Sequence, residues 1–111
     1  MATTSDGRPL VTIKGHGKMR NYIEFCLRTL RADGRTGVVL RGEEKQLDKC
    51  VSVSEIVKRR WTEAEGETDR GKEESVVATK CVSKAVISNA LAFEGGPIRP
   101  RIEITMTVEA V

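Results

Sequence analysis

Apolar residues in this chain recur first at strand spacing and then at helical spacing, and that switch happens twice before two strand-like segments close the sequence. Leu10-Val11-Thr12-Ile13-Lys14 predicts a short strand, and Gly15-His16-Gly17 breaks it, because paired glycines favour a loop. From Met19 the period lengthens. Met19, Tyr22, Ile23, Cys26, Leu27 and Leu30 make one stripe along a helix, with Arg20, Glu24, Arg28 and Arg31 largely off it. Gly34 is the natural stop for that helix. Thr36 to Leu40 predicts a second strand, ended by Arg41-Gly42, and the run Val38-Val39-Leu40 suits burial on both faces. Leu47, Cys50, Val51, Ser54, Val57 and Lys58 then trace a second helix, widened by Val53 and Ile56 and closed at Trp61. Glu43 and Glu44 suit its positive N-terminal end, and Lys58-Arg59-Arg60 its negative C-terminal end.

Residues 62–75 have no apolar period and much charge, which predicts a solvated acidic loop. From Val76 to Leu91 β-branched and small residues dominate, as in one long strand, and Glu94-Gly95-Gly96-Pro97 reads as a turn. In the final segment Ile102, Ile104, Met106 and Val108 alternate with Arg101, Glu103, Thr105, Thr107 and Glu109, so one face is apolar and the other polar. The order β-α-β-α-β-β with a long C-terminal β-hairpin predicts an α+β two-layer sandwich, both helices on one face of a mixed four-stranded sheet. We expect one domain over residues 10–111, preceded by a flexible leader at 1–9.

Composition narrows the function classes. No apolar run approaches the roughly 20 residues that a transmembrane helix needs. Residues 1–6 have neither the basic start nor the apolar stretch of a secretory signal. Cys26, Cys50 and Cys81 are widely spaced among apolar neighbours, as small buried hydrophobes are, which points to a reducing compartment, cytosol or nucleus. The net charge of +3 hides an uneven distribution. Residues 1–60 hold 13 Lys/Arg against 7 Asp/Glu, whereas residues 61–75 hold 2 against 6. The first half is therefore basic, as a polyanion partner would want, and one acidic segment masks it.

Catalytic groups are sparse. The single histidine, His16, lies between glycines with no partner in sequence to orient it, and the cysteines lack C-x-x-C or zinc spacing. We therefore expect no enzyme, no metal and no cofactor. Lys14-Gly15-His16-Gly17-Lys18 leads straight into a helix, whose first amides favour anions. The loop lacks the spacing of a nucleotide P-loop, and Met19 offers no hydroxyl for magnesium. It suits an extended phosphate backbone better, with glycines for close approach and Lys14, Lys18 and Arg20 for charge.

Two stretches carry a family resemblance. Gly17-Lys18-Met19-Arg20-Asn21-Tyr22-Ile23 resembles the loop and first-helix start of the Alba superfamily, and Lys49-Cys50-Val51-Ser52-Val53-Ser54-Glu55-Ile56-Val57-Lys58-Arg59-Arg60 resembles its second helix. Gly-Lys-Met-Arg-Asn and Lys58-Arg59-Arg60 lean toward the eukaryotic branch, similar to Alba-like subunits of ribonuclease P/MRP and to protist Alba proteins. The resemblance implies a non-catalytic binder of RNA, with DNA as a further target, working as a homodimer or as a heterodimer with another Alba-like chain. It implies contacts from Lys14, His16, Lys18, Arg20, Asn21 and Tyr22 in the loop, from Arg41, Lys45 and Lys49 at the second strand–helix junction, and from Lys80, Lys84, Arg99 and Arg101 on the hairpin arms. Tyr22 also lies on the helix stripe and is equally a core candidate. One departure stands out: relatives usually have Gly-x-Gly and a basic residue where this chain reads Gly42-Glu43-Glu44-Lys45. Should the second helix and the hairpin instead serve mainly as a protein interface, Val53, Ile56 and Val57 are its apolar candidates.

Overall fold

The structure is a computed structural model that describes residues 3–71, 79–91 and 98–110, with side chains over 3–64, 79–88 and 99–110. Its elements are β1 (Leu10–Thr12), α1 (Met19–Ala32), β2 (Val38–Glu43), a single 3₁₀ turn at Glu44–Gln46, α2 (Leu47–Gly71), β3 (Thr79–Leu91) and β4 (Ile98–Ala110). The four strands form one sheet in the order β1-β2-β4-β3. β1 and β2 are parallel, as neighbours in a β-α-β unit are, while β4 pairs antiparallel with both β2 and β3. Both helices lie on one face, giving the α+β sandwich that the sequence implied.

The register shows how alternation becomes a core. Val38, Leu40 and Gly42 stand opposite Met106, Ile104 and Ile102, so all six share the helix-facing side. Against them pack Ile23, Cys26, Leu27 and Leu30 from α1 and Cys50, Val53, Val57 and Trp61 from α2. Leu30, Leu40, Val38, Val53, Val57 and Met106 are fully buried, each contributing about 1.5–3 kcal/mol of hydrophobic stabilisation. Gly42 sits where α2 crosses β2: a Cβ there would meet the Gln46 carbonyl oxygen at 2.8 Å and Cys50 Cβ at 2.9 Å. The helix therefore comes this close only over glycine.

Several boundaries differ from expectation. β1 stops at Thr12, although Ile13 still donates its N–H to the Arg41 carbonyl at 2.8 Å. β2 begins later, at Val38, and runs through Arg41-Gly42 to Glu43, because β4 offers it partners as far as Arg101. α2 does not close at Trp61. Trp61 belongs to its buried stripe and donates its indole N–H to Thr79 Oγ1 at 3.2 Å. The helix then continues to Gly71 through part of the segment expected to be a loop. Glu63, Ala64, Glu65 and Glu67 favour helix whereas Gly66, Thr68 and Asp69 do not, so neither an apolar stripe nor uniform propensity marks this extension in the sequence. Positions 72–75 of that segment, the expected strand start at 76–78 and the turn at Glu94–Pro97 lie outside the described residues.

Within the leader, residues 3–9 fold back on themselves. Thr3 bridges Pro9, Thr4 donates to the Arg8 carbonyl at 2.7 Å, and Arg8 Nε donates to the Thr36 carbonyl at 2.7 Å. Cys26 and Cys50 are buried and Cys81 partly so, all as free thiols. Burial pushes the Cys26 thiol up to about 12 and those of Cys50 and Cys81 to about 11, so none is a thiolate near neutral pH. Among the described residues no helix is long and apolar enough to cross a membrane.

Candidate nucleic-acid interface

Because β1 and β2 are parallel, the loop after β1 and the junction after β2 emerge at the same end of the sheet. Beyond that end β3 and β4 continue as a pair, since β2 reaches only Arg101 of β4 while pairing with β3 extends to Ile98. The topology thus brings the 14–18 loop, the Glu44–Gln46 turn and the base of the arm together. A shallow groove lined by Thr12, Ile13, Lys14, Gly15, Glu43 and Gln46 joins the first two.

The loop is built on Tyr22 and Lys49. Tyr22 lies half-buried on the first turn of α1, and its hydroxyl accepts a hydrogen bond from the Lys14 amide at 2.8 Å. A Cβ on Gly17 would run into that hydroxyl, so only glycine fits there. Tyr22 therefore packs against the core, as one of the two readings of the sequence had it, and also supports the loop. Lys49, in the first turn of α2, donates from Nζ to the carbonyls of Lys14 (2.8 Å), Gly15 (3.4 Å) and Gly17. Its Nζ also lies 5.6 Å from the centroid of the Tyr22 ring, within cation–π range. With its underside held, the loop exposes Lys14, His16 and Lys18, followed by Arg20 and Asn21 on α1.

The remaining cations divide by partner. Arg41 donates to Glu103 Oε2 through Nε at 3.0 Å and Nη2 at 2.8 Å, Arg101 pairs with Glu43 at 3.1 Å, and Arg99 pairs with Glu44 at 2.7 Å. The first two are direct cross-strand neighbours in the β2–β4 register. Together they form an ion-pair ladder along this edge of the outer sheet face. Arg20 pairs more loosely with Glu24, at 3.3 Å and largely exposed. Lys14, Lys18, Lys45, Lys80 and Lys84 are exposed and have no ion-pair partner among the described residues. Lys84 faces outward mid-sheet opposite Thr105, and Lys80 stands opposite Glu109 at the far end. Eight residues separate the Lys80 and Arg101 positions along the β3–β4 register, roughly 27 Å of strand, so Lys80 is remote from the loop.

Glu43 and Glu44 take a part that periodicity did not reveal. Instead of serving the start of α2, which begins at Leu47 with Asp48 in its first turn, they bind arginines of the arm. Only the register with β4 carries that signal. Glu44 also adopts φ 52°, a left-handed conformation that favours glycine. Val53 and Val57, candidates for a protein interface, are fully buried, and Ile56 is packed against the core. Among the described residues the large apolar side chains that stand exposed are Val51 on α2 and Val86 and Ile87 on β3.

A mixed four-stranded sheet under two helices, with a basic strand–helix loop beside a long two-stranded arm, defines a small α+β domain with no catalytic group assembled among the described residues. The sequence profile of the Alba family matches residues 10–65, and the chain belongs to that family, whose proteins generally bind rather than catalyse. Among solved structures the fold is similar to Alba from Thermoplasma volcanium, with a TM-score of 0.57 and 15% identity over 88% of this chain and 98% of that one. No curated protein matches in sequence.

Replacing Glu44 with Gly removes the left-handed strain at the cost of a half-exposed ion pair, which is worth about 0–1 kcal/mol. We expect stability in urea to rise by about 0.5 kcal/mol. A loss above about 1 kcal/mol would show that the Arg99 pair outweighs the backbone term.

Proposed function

We propose that this chain binds RNA, mainly through phosphate contacts, as an Alba-type dimer in a ribonucleoprotein or translation-related role, with duplex DNA as a secondary target. The observation that carries this reading is the loop: Lys14, His16 and Lys18 stand exposed on a backbone held from beneath, with Lys45 at the neighbouring junction. Charges presented this way meet a phosphate backbone whatever its sequence. The described residues offer no row of exposed aromatic rings to stack bases, since Trp61 is buried and Tyr22 and Phe25 are packed on the core. Preference for RNA rests on the eukaryotic-type stretches Gly17-Lys18-Met19-Arg20-Asn21 and Lys58-Arg59-Arg60. Such a role belongs in the cytoplasm or the nucleus.

The dimer reading has its own support. Val51 is 41% exposed on α2, and Ile87 is 72% exposed on the helix-bearing side of the arm. Exposed apolar side chains on those two elements are what an interface between copies would cover. Association with a different Alba-like chain would use the same residues, and Glu44 favours that second reading by withdrawing Arg99 from any bound phosphate.

Fluorescence anisotropy with a single-stranded RNA oligonucleotide across a salt series tests the binding. The wild type should show a linear fall of log affinity with log salt, and Lys14→Ala with Lys18→Ala should flatten that slope by about 1.4, at roughly 0.7 per lost phosphate contact. An unchanged slope removes the loop from the interface. Light scattering tests assembly: the wild type should run as a dimer and Ile87→Asp as a monomer, and two monomers would leave a different chain as the partner.

A further inference from the structure

We propose that Lys49 is the positioning residue of the loop: its ammonium holds residues 14–18 in the shape that offers Lys14, His16 and Lys18 to a nucleic acid, and does not itself bind phosphate. The inference rests on the nucleic-acid reading for its consequence, but its physical basis is independent of any ligand.

An ammonium carries three N–H donors and no acceptor. In Lys49 three carbonyl oxygens take them up, those of Lys14, Gly15 and Gly17. The Tyr22 ring covers a further side of the same group. No donor is left for a phosphate oxygen, and the side chain is half-buried rather than extended into solvent. Without the ammonium, three carbonyl dipoles would converge on one point with nothing to offset their repulsion. Two weaker bonds would then hold the loop, Gly17 N–H to the Lys14 carbonyl at 3.2 Å and Lys14 N–H to the Tyr22 hydroxyl at 2.8 Å.

The clamp also sets the outer face of the loop. A trans peptide points its C=O and the following N–H in opposite directions. Carbonyls of Lys14, Gly15 and Gly17 drawn toward Lys49 therefore turn the amides of Gly15, His16 and Lys18 away from it. Among the described residues these three amides have no acceptor in the protein. The loop thus turns backbone donors away from Lys49 while the Lys14 and Lys18 side chains stand exposed, and Lys49 acts on a phosphate only through that arrangement.

The test combines two variants and two readouts. Lys49→Met keeps the length of the stem and removes the ammonium. Tyr22→Phe removes only the hydroxyl that receives the Lys14 amide, and alters no charge. ¹⁵N relaxation of the free chain should show order parameters at residues 15–17 falling from about 0.8 to below about 0.6 in Lys49→Met, with a smaller fall in Tyr22→Phe. Affinity for a single-stranded uridine oligonucleotide should drop on the order of tenfold in Lys49→Met, with the salt slope as in the wild type. A slope flattened by about 0.7 with an unchanged loop would make Lys49 a phosphate contact and overturn the proposal. Unchanged order parameters in Lys49→Met would overturn it as well, whatever Tyr22→Phe shows. If Lys49→Met fails to fold, Lys49→Gln, whose uncharged and shorter side chain keeps a polar end, decides by the same criteria. A wild type that shows no salt-sensitive binding overturns the nucleic-acid reading, and the relaxation data then judge the clamp without it.

Discussion

Antiparallel pairing of β2 with β4 is the contact on which the rest of this molecule hangs. It joins Val38–Glu43 to Arg101–Met106, segments about sixty residues apart, and completes a sheet that neither the β-α-β unit nor the terminal pair of strands could close alone. On one face of the pair lie Val38, Leu40, Ile104 and Met106, the apolar floor on which both helices rest. On the other face lie Arg41, Glu43, Arg101 and Glu103, where long side chains of opposite sign stand directly across from each other. One register therefore fixes both the core and the electrostatics of the outer surface. Shifting it by a single residue would exchange the two faces.

The same pairing sorts the cations. Arg41, Arg99 and Arg101 are answered by Glu103, Glu44 and Glu43, so they support the base of the arm. Lys49 is turned inward onto carbonyls. Among the described residues, what stays open at this end of the sheet is a smaller group, Lys14, Lys18 and Lys45, with His16 and Asn21 beside them. A count of basic residues overstates the surface available to a polyanion, because much of the charge is already engaged within the protein.

Local pattern was enough for the elements whose burial is one-sided. The alternation at Ile102, Ile104 and Met106 and the stripe from Met19 to Leu30 each specify a face without reference to any partner, and both stand as expected. Where the outcome depended on a distant segment, the sequence alone was less informative. β2 extends past Gly42 because β4 is there to receive it. Helix α2 runs beyond Trp61 with no hydrophobic period to read. In the candidate site, the exposure of Lys14, His16 and Lys18 was legible from a glycine-rich loop, and the core packing of Tyr22 from its place on the helix stripe. The neutralised arginines and the inward Lys49 were not, since their partners lie about 30 to 60 positions away in sequence.

Nucleic acid should therefore meet the 14–21 segment and Lys45, and leave the arginine–glutamate ladder intact. Amide chemical shifts of the ¹⁵N-labelled chain, followed as a single-stranded RNA is added at low salt, test this most directly. Shifts should concentrate at residues 14–21 and at Lys45, with Arg41, Arg101 and Glu103 little changed. Shifts centred on Arg41, Arg99 and Arg101 with a silent loop would contradict it.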